Sequence, residues 1–192
     1  MTGRMWRYQI SGDDIRGQKT IIVGDVNTGK TFYTLKILDA LEERDYPSVA
    51  VIDCATEAVR GIGGKMEGAE RSGILYLTTE IAAPRLMGTS DEEIFALATG
   101  NARAIETIFD SYLADPREIL FINDVTLYLQ AGSVDRLIEV MESAGTLVMN
   151  AYRGTSFQDS ALSRRERRLL GEIMQRCHRV VGLSLALTGT GR

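Results

Sequence analysis

One stretch limits the fold of this chain more than any other: Gly24-Asp25-Val26-Asn27-Thr28-Gly29-Lys30-Thr31, which fits G-x-x-x-x-G-K-[ST] at every fixed position. It follows a short apolar, β-branched run, Lys19–Val23, and opens a segment with Phe32, Leu35, Leu38 and Leu41 at helical spacing. A strand that turns into a helix through such a loop is built to wrap an anion. Its backbone N–H groups point inward and glycine keeps Cβ atoms clear. The N-terminus of the following helix adds its dipole. The candidate phosphate-binding set is Gly24, Asp25, Val26, Asn27, Thr28, Gly29, Lys30, Thr31 and Phe32. Lys30 is expected on the β- and γ-phosphates of a nucleoside triphosphate, and the Thr31 hydroxyl on Mg²⁺.

The rest of the chain alternates strand and helix patterns. Further buried strands are expected at Ser48–Asp53, Ile74–Thr78, Glu118–Asp124, Thr146–Asn150 and Arg179–Leu187, with a weaker one at Trp6–Ile10 before a polar turn at Ser11–Gly17. The helix after the phosphate loop should end near Asp45–Pro47, and a long helix should start at Ser90, where Ser90 and Glu93 fit a capping box. A short helix is expected over Ser133–Ser143, and another from a second box, Ser163 with Glu166, to about Cys177. This order predicts an α/β three-layer sandwich with a mostly parallel central sheet flanked by helices. At 192 residues, a single domain over 1–192 is expected. Gly61–Gly73, with five glycines, reads as a mobile loop; with Lys65 and Arg71 it is a candidate lid.

A phosphate loop needs a carboxylate to help hold the metal. Asp124, at the end of ILFIN, is the candidate, as an outer-sphere Mg²⁺ ligand that completes the metal set with Thr31; Asn123 just before it has no assigned role. A base for water or for an acceptor hydroxyl is sought at Asp53 and Glu57, after the strand that follows the loop helix, with Glu80 third. In a parallel sheet these acids meet beyond the carboxyl ends of the strands.

The order of phosphate loop, VAVID with nearby acids, ILFIND and TLVMN resembles the RecA-like class of ATPases. The resemblance implies ATP and Mg²⁺ as ligands, hydrolysis that drives a partner or an assembly, a catalytic acid in Asp53–Glu57, and a polar sensor at Asn150. It also leaves open a homo-oligomer whose site is completed by a neighbour's arginine, with Arg164–Arg168 and Arg192 as donors, or Arg153 acting in its own subunit. Ala104–Gln130 and Thr146–Gly154 also resemble the corrinoid adenosyltransferases, although Asp124-Val125 stands where those carry Asp-Glu. A nucleotide-dependent transferase, a kinase or an adenosyl transferase, is therefore one alternative, and a non-hydrolysing, nucleotide-gated module another. The guanine signature N-K-x-D is missing, since Asn150 is followed by Ala151-Tyr152-Arg153, so ATP is favoured over GTP.

A net charge of −4 argues against bulk nucleic-acid binding, which depends on phosphate neutralisation. Four arginines in Arg164–Arg168 at an expected helix start run against the helix dipole and mark a possible contact for an anionic or protein partner. Cys54 and Cys177 have no metal or redox spacing, no apolar run reaches a membrane span, and the N-terminus carries no secretory pattern, so the cytoplasm is expected. His178 reads as structural, and Tyr76, Tyr128 and Tyr152 as core or pocket-wall aromatics.

Overall fold

A computed structural model describes residues 12–42 and 48–184 of the chain. The elements are α1 (Gly12–Ile15), β1 (Lys19–Gly24), α2 (Lys30–Glu42), β2 (Val49–Asp53), β3 (Ile74–Thr78), α3 (Pro84–Met87), α4 (Asp91–Ala114), β4 (Ile119–Asn123), α5 (Thr126–Leu129), α6 (Val134–Glu142), β5 (Thr146–Tyr152), α7 (Ala161–Gln175) and β6 (Arg179–Leu183). The six strands form one sheet in the order β3-β2-β4-β5-β1-β6, and every pairing is parallel. The expected strand at Trp6–Ile10, the end of the loop helix near Asp45–Pro47 and the last residues of the strand drawn to Leu187 lie outside the described residues.

Strand alternation sorts the apolar side chains onto two faces. Ile21, Val23, Ile52, Leu120, Ile122, Leu147 and Met149 share one core with α4, α6 and α7. Ile22, Val49, Val51, Ile119, Phe121 and Val148 share the other with α1 and α2. This second face is served by few helices, and the segment 61–73 completes its cover. Met66 and Ala69 are buried in that core. The Lys65 ammonium donates to Thr78 Oγ1 at 2.6 Å, the Thr79 carbonyl at 2.9 Å and the Asp53 carbonyl at 3.4 Å. Arg71 pairs with Asp39 of α2 at 3.1 Å. The glycines therefore serve a tightly turned, packed strap rather than the mobile loop expected from composition.

Two helix readings also change. Phe32, Leu35, Leu38 and Leu41 recur every third residue, and a strict step of three drifts by about 60° per step around an α-helix. Leu38 and Leu41 are buried with Tyr33 and Ile37, while Phe32 ends on the opposite side, half exposed. Helix α7 starts three residues earlier than the Ser163–Glu166 box implies. Ser160 is its N-cap, accepting from the Ser163 N–H at 3.1 Å, and Glu166 is buried inside the helix. The Ser90 cap of α4 is as expected, with Glu93 reaching back to the Thr89 N–H and hydroxyl.

Truncating the strap's anchor, Met66→Ala, should cost about 2–5 kcal/mol of stability, read from urea denaturation, because the cavity opens against rigid strands.

Candidate functional site

Parallel register gathers the polar residues at one rim. Asp53 at the end of β2 is level with Asn123 of β4; Asn150 of β5 lies beside Ile22, two residues before Gly24 in β1. Gly24 cannot carry a side chain, since a Cβ there would lie 2.6 Å from the Leu183 carbonyl oxygen and 2.6 Å from Thr28 Oγ1. The loop then closes on itself. The Thr28 hydroxyl and the Lys30 ammonium both donate to the Asp25 carbonyl, at 2.8 and 2.7 Å. The Asp25 carboxylate accepts from the Val26 and Thr155 N–H groups at 2.7 and 3.0 Å. Burial opposes its ionisation, yet the Ser156 hydroxyl and these backbone donors hold it below its ordinary value. Gly154 gives it room; a Cβ there would run into the Asp25 carboxylate.

The centre of the rim is Asn123, which is fully buried. Its Nδ2 donates to Asp53 Oδ1 at 2.8 Å. Because a carboxylate ion only accepts, this contact fixes the amide's orientation and turns Oδ1 the other way. There Oδ1 accepts from the Thr31 hydroxyl at 3.1 Å and from Asn150 Nδ2 at 2.8 Å. Asn150 also donates to Thr34 Oγ1 at 3.1 Å and accepts from the Asp124 N–H at 3.0 Å. Asn123, given no role by the sequence, is thus the side chain that meets the Thr31 hydroxyl.

Asp124 follows in the left-handed region, at φ 52°. Its Oδ1 accepts from the Thr126 N–H at 3.3 Å, and it lines the cavity above the loop. Burial pushes its carboxyl above the ordinary value, against Lys30, Thr126 and Arg85; burial likewise lowers Lys30, against Asp124 and Asp25.

Asp53 is fully buried. Besides Asn123 it accepts from the Met66 N–H at 2.5 Å, the Tyr76 hydroxyl at 2.8 Å and the Ala55 N–H at 3.1 Å. Its lone pairs are committed to holding the rim, and it does not line the cavity. Glu57 is exposed; Thr56 is the cavity-lining residue of that turn. Glu57 and Glu80 instead border a separate surface hollow. Among the described residues Asp124 is the one carboxylate lining the cavity.

That cavity, about 240 Å³, is lined by the loop residues Val26, Asn27, Gly29, Lys30 and Thr31 together with Arg85, Gln130, Tyr152 and Phe157. Arg85 comes from α3, a four-residue helix with Pro84 at its start, too short to show periodicity in the sequence. Its Nη2 donates to Glu166 Oε2 at 2.5 Å, which also accepts from Gln130 Nε2 at 3.1 Å. The signal for this pair was an acid in the apolar stripe of α7, between Leu162 and Leu169. Tyr152 lines the same cavity, as the pocket-wall reading expected; Tyr128 is core, edge-on to Phe109. His178 Nδ1 accepts from the Lys19 N–H at 2.8 Å.

The arginines of α7 have partners within the chain. Arg164 and Arg167 meet Asp159, Arg168 meets Glu172 at 2.6 Å, and Arg165 donates to the Gly132 carbonyl at 2.7 Å. Arg153 is exposed and off the cavity, and Arg192 lies outside the described residues. No described helix is long and apolar enough to cross a membrane.

No protein-family model matches the chain, and no curated sequence matches it. In three dimensions it is similar to the crystal structure of flagellar accessory protein FlaH from Methanocaldococcus jannaschii, with a TM-score of 0.58 at 11% identity, over 92% of this chain and 75% of that one. With the parallel sheet flanked by helices, this establishes a RecA-like fold.

Two outcomes test the rim. Asn123→Asp puts a second carboxylate against Asp53; it should cost about 3 kcal/mol or more near pH 7 by chemical denaturation, with part recovered in acid as one of the two takes a proton. Burial, opposed by Arg85 and Gln130, raises the Glu166 carboxyl from 4.5 to about 7. The folded state then holds this proton more tightly than the unfolded state. Its contribution is full below pH 4.5 and lost as pH rises to about 7. The stability of the wild type relative to Glu166→Gln should therefore fall across that window.

Proposed function

We propose that this chain binds Mg²⁺·ATP at Gly24–Thr31 and hydrolyses it to drive a partner or an assembly. The observation that carries the reading is the loop itself: a strand end, a self-bonded turn and the N-terminus of α2 form one wall of a cavity that also receives Lys30, Thr31 and Asp124. An anion there gains the helix dipole, the loop N–H groups and the Lys30 ammonium together. The donor set suits Mg²⁺, a hard cation commonly held by one or two carboxylates and substrate phosphates. Thr31 and Asp124 would hold it, and it would supply charge neutralisation on the phosphates. Asp53 acts through Asn123 as a positioning residue in this reading. Glu57 reaches water only if its segment turns inward. The exposed faces of Arg164, Arg167 and Arg168 are the proposed contact for an acidic partner surface.

A second reading, transfer of the γ-phosphoryl group to an acceptor, has two observations in its favour: Tyr152 and Phe157 line the cavity together with the loop, and Asp53 and Glu57 do not line it. Phosphate release from ATP and Mg²⁺ alone favours hydrolysis. ADP formed only after an acceptor is added, with no free phosphate, favours transfer.

Mg²⁺·ATP at 100 times its dissociation constant should stabilise the wild type by about 2.7 kcal/mol in a thermal-shift titration. Lys30→Ala should lose most of that gain while keeping a cooperative melt. A wild type that no nucleoside triphosphate stabilises sinks the proposal.

A further inference from the structure

Arg85 lines the same cavity as Lys30. Its guanidinium centre lies 5.0 Å from the Phe157 ring and 5.9 Å from the Tyr152 ring, within cation–π range of both. Glu166, 2% exposed, pairs with it, and Gln130 donates to the same Glu166 oxygen. Its Nε is buried and without a hydrogen-bond partner, and so is Gln130 Oε1. A buried ion pair contributes little to stability once desolvation is counted. A guanidinium fixed by two rings and a carboxylate, with donor capacity unspent, has the features of a preorganised anion contact.

We propose that Arg85 is the arginine that meets the γ-phosphoryl group of the bound nucleotide, with Glu166 as its positioning residue. This rests on the nucleotide reading above, and it assigns to a residue of the same chain the role sought at Arg153, Arg192 or a neighbour's arginine. In hydrolysis the oxygen of water bonds to the γ-phosphorus, and the bond from that phosphorus to the bridging oxygen breaks with its electron pair leaving on ADP. One proton of the water stays on the phosphate and the other passes to solvent. Arg85 neutralises charge on the equatorial oxygens of the group in flight, which is where an arginine acts in such transfers.

The test compares ADP, which lacks this group, with AMP-PNP, which carries an analogue of it. Affinities for both, with Mg²⁺, are measured by titration calorimetry on the full chain, together with ATP turnover at saturation. Arg85→Lys keeps the ion pair and loses the fork. The double variant Arg85→Met/Glu166→Gln removes both buried charges, so neither is stranded; melting curves verify that each variant folds. The expected result is ADP affinity within about twofold of wild type, AMP-PNP affinity down about tenfold, and turnover down about 100-fold. If the wild type binds both nucleotides and both variants keep its AMP-PNP to ADP ratio and its turnover, the Arg85 assignment is overturned alone. If the wild type binds but does not turn over, the affinity ratio decides. If it binds neither nucleotide, the nucleotide reading falls, and the Arg85 assignment with it.

Discussion

The site depends on the orientation of one buried amide. Asn123 donates from Nδ2 to Asp53 and accepts at Oδ1 from Thr31 and Asn150, so three strands and the loop helix converge on a single side chain. A carboxylate that accepts four hydrogen bonds can be fully buried without stranding its charge, and it accepts only, which leaves the amide one way to face. Rotating that amide would set NH₂ against NH₂ at Asn150 and carbonyl against carboxylate at Asp53. The rim is therefore set before any ligand arrives.

The arrangement moves a negative charge by one strand. The residue that meets the Thr31 hydroxyl is a neutral amide, and the acid that orients it sits on the neighbouring strand β2. Asp124, one residue on and in a left-handed conformation, carries its carboxylate into the cavity instead. Across from it, Arg85 is set by Glu166 and two aromatic rings. The cavity thus holds two cations, Lys30 and Arg85, with Asp124 as its carboxylate among the described residues.

The strap 61–73 shows how composition can mislead. Glycine-rich, polar stretches lose much entropy on ordering and are often loops. Here Met66 and Ala69 enter a core that α1 and α2 leave partly open, and Lys65 finds three oxygens at the strand ends. The same strap supplies the Met66 N–H to Asp53, which ties the cover of one sheet face to the polar rim.

By itself the sequence determined the parts written in local pattern. Strand and helix alternation, the loop Gly24–Thr31 and the Ser90 cap depend on neighbours a few residues apart, so periodicity and spacing carry them. The tertiary structure alone decided what depends on chain segments meeting from afar. Asp53 and Asn123 are 70 residues apart and Arg85 and Glu166 are 81 apart, and only parallel strand register and helix packing bring each pair into contact. That is why Asp53 stood among the candidate bases with no sign that its lone pairs are taken, why Glu166 read as a cap when it is a buried counter-charge, and why the place of Arg85 after a strand end did not disclose its partner. A residue type announces the chemistry it can do; the partners that commit it to one role come from the fold.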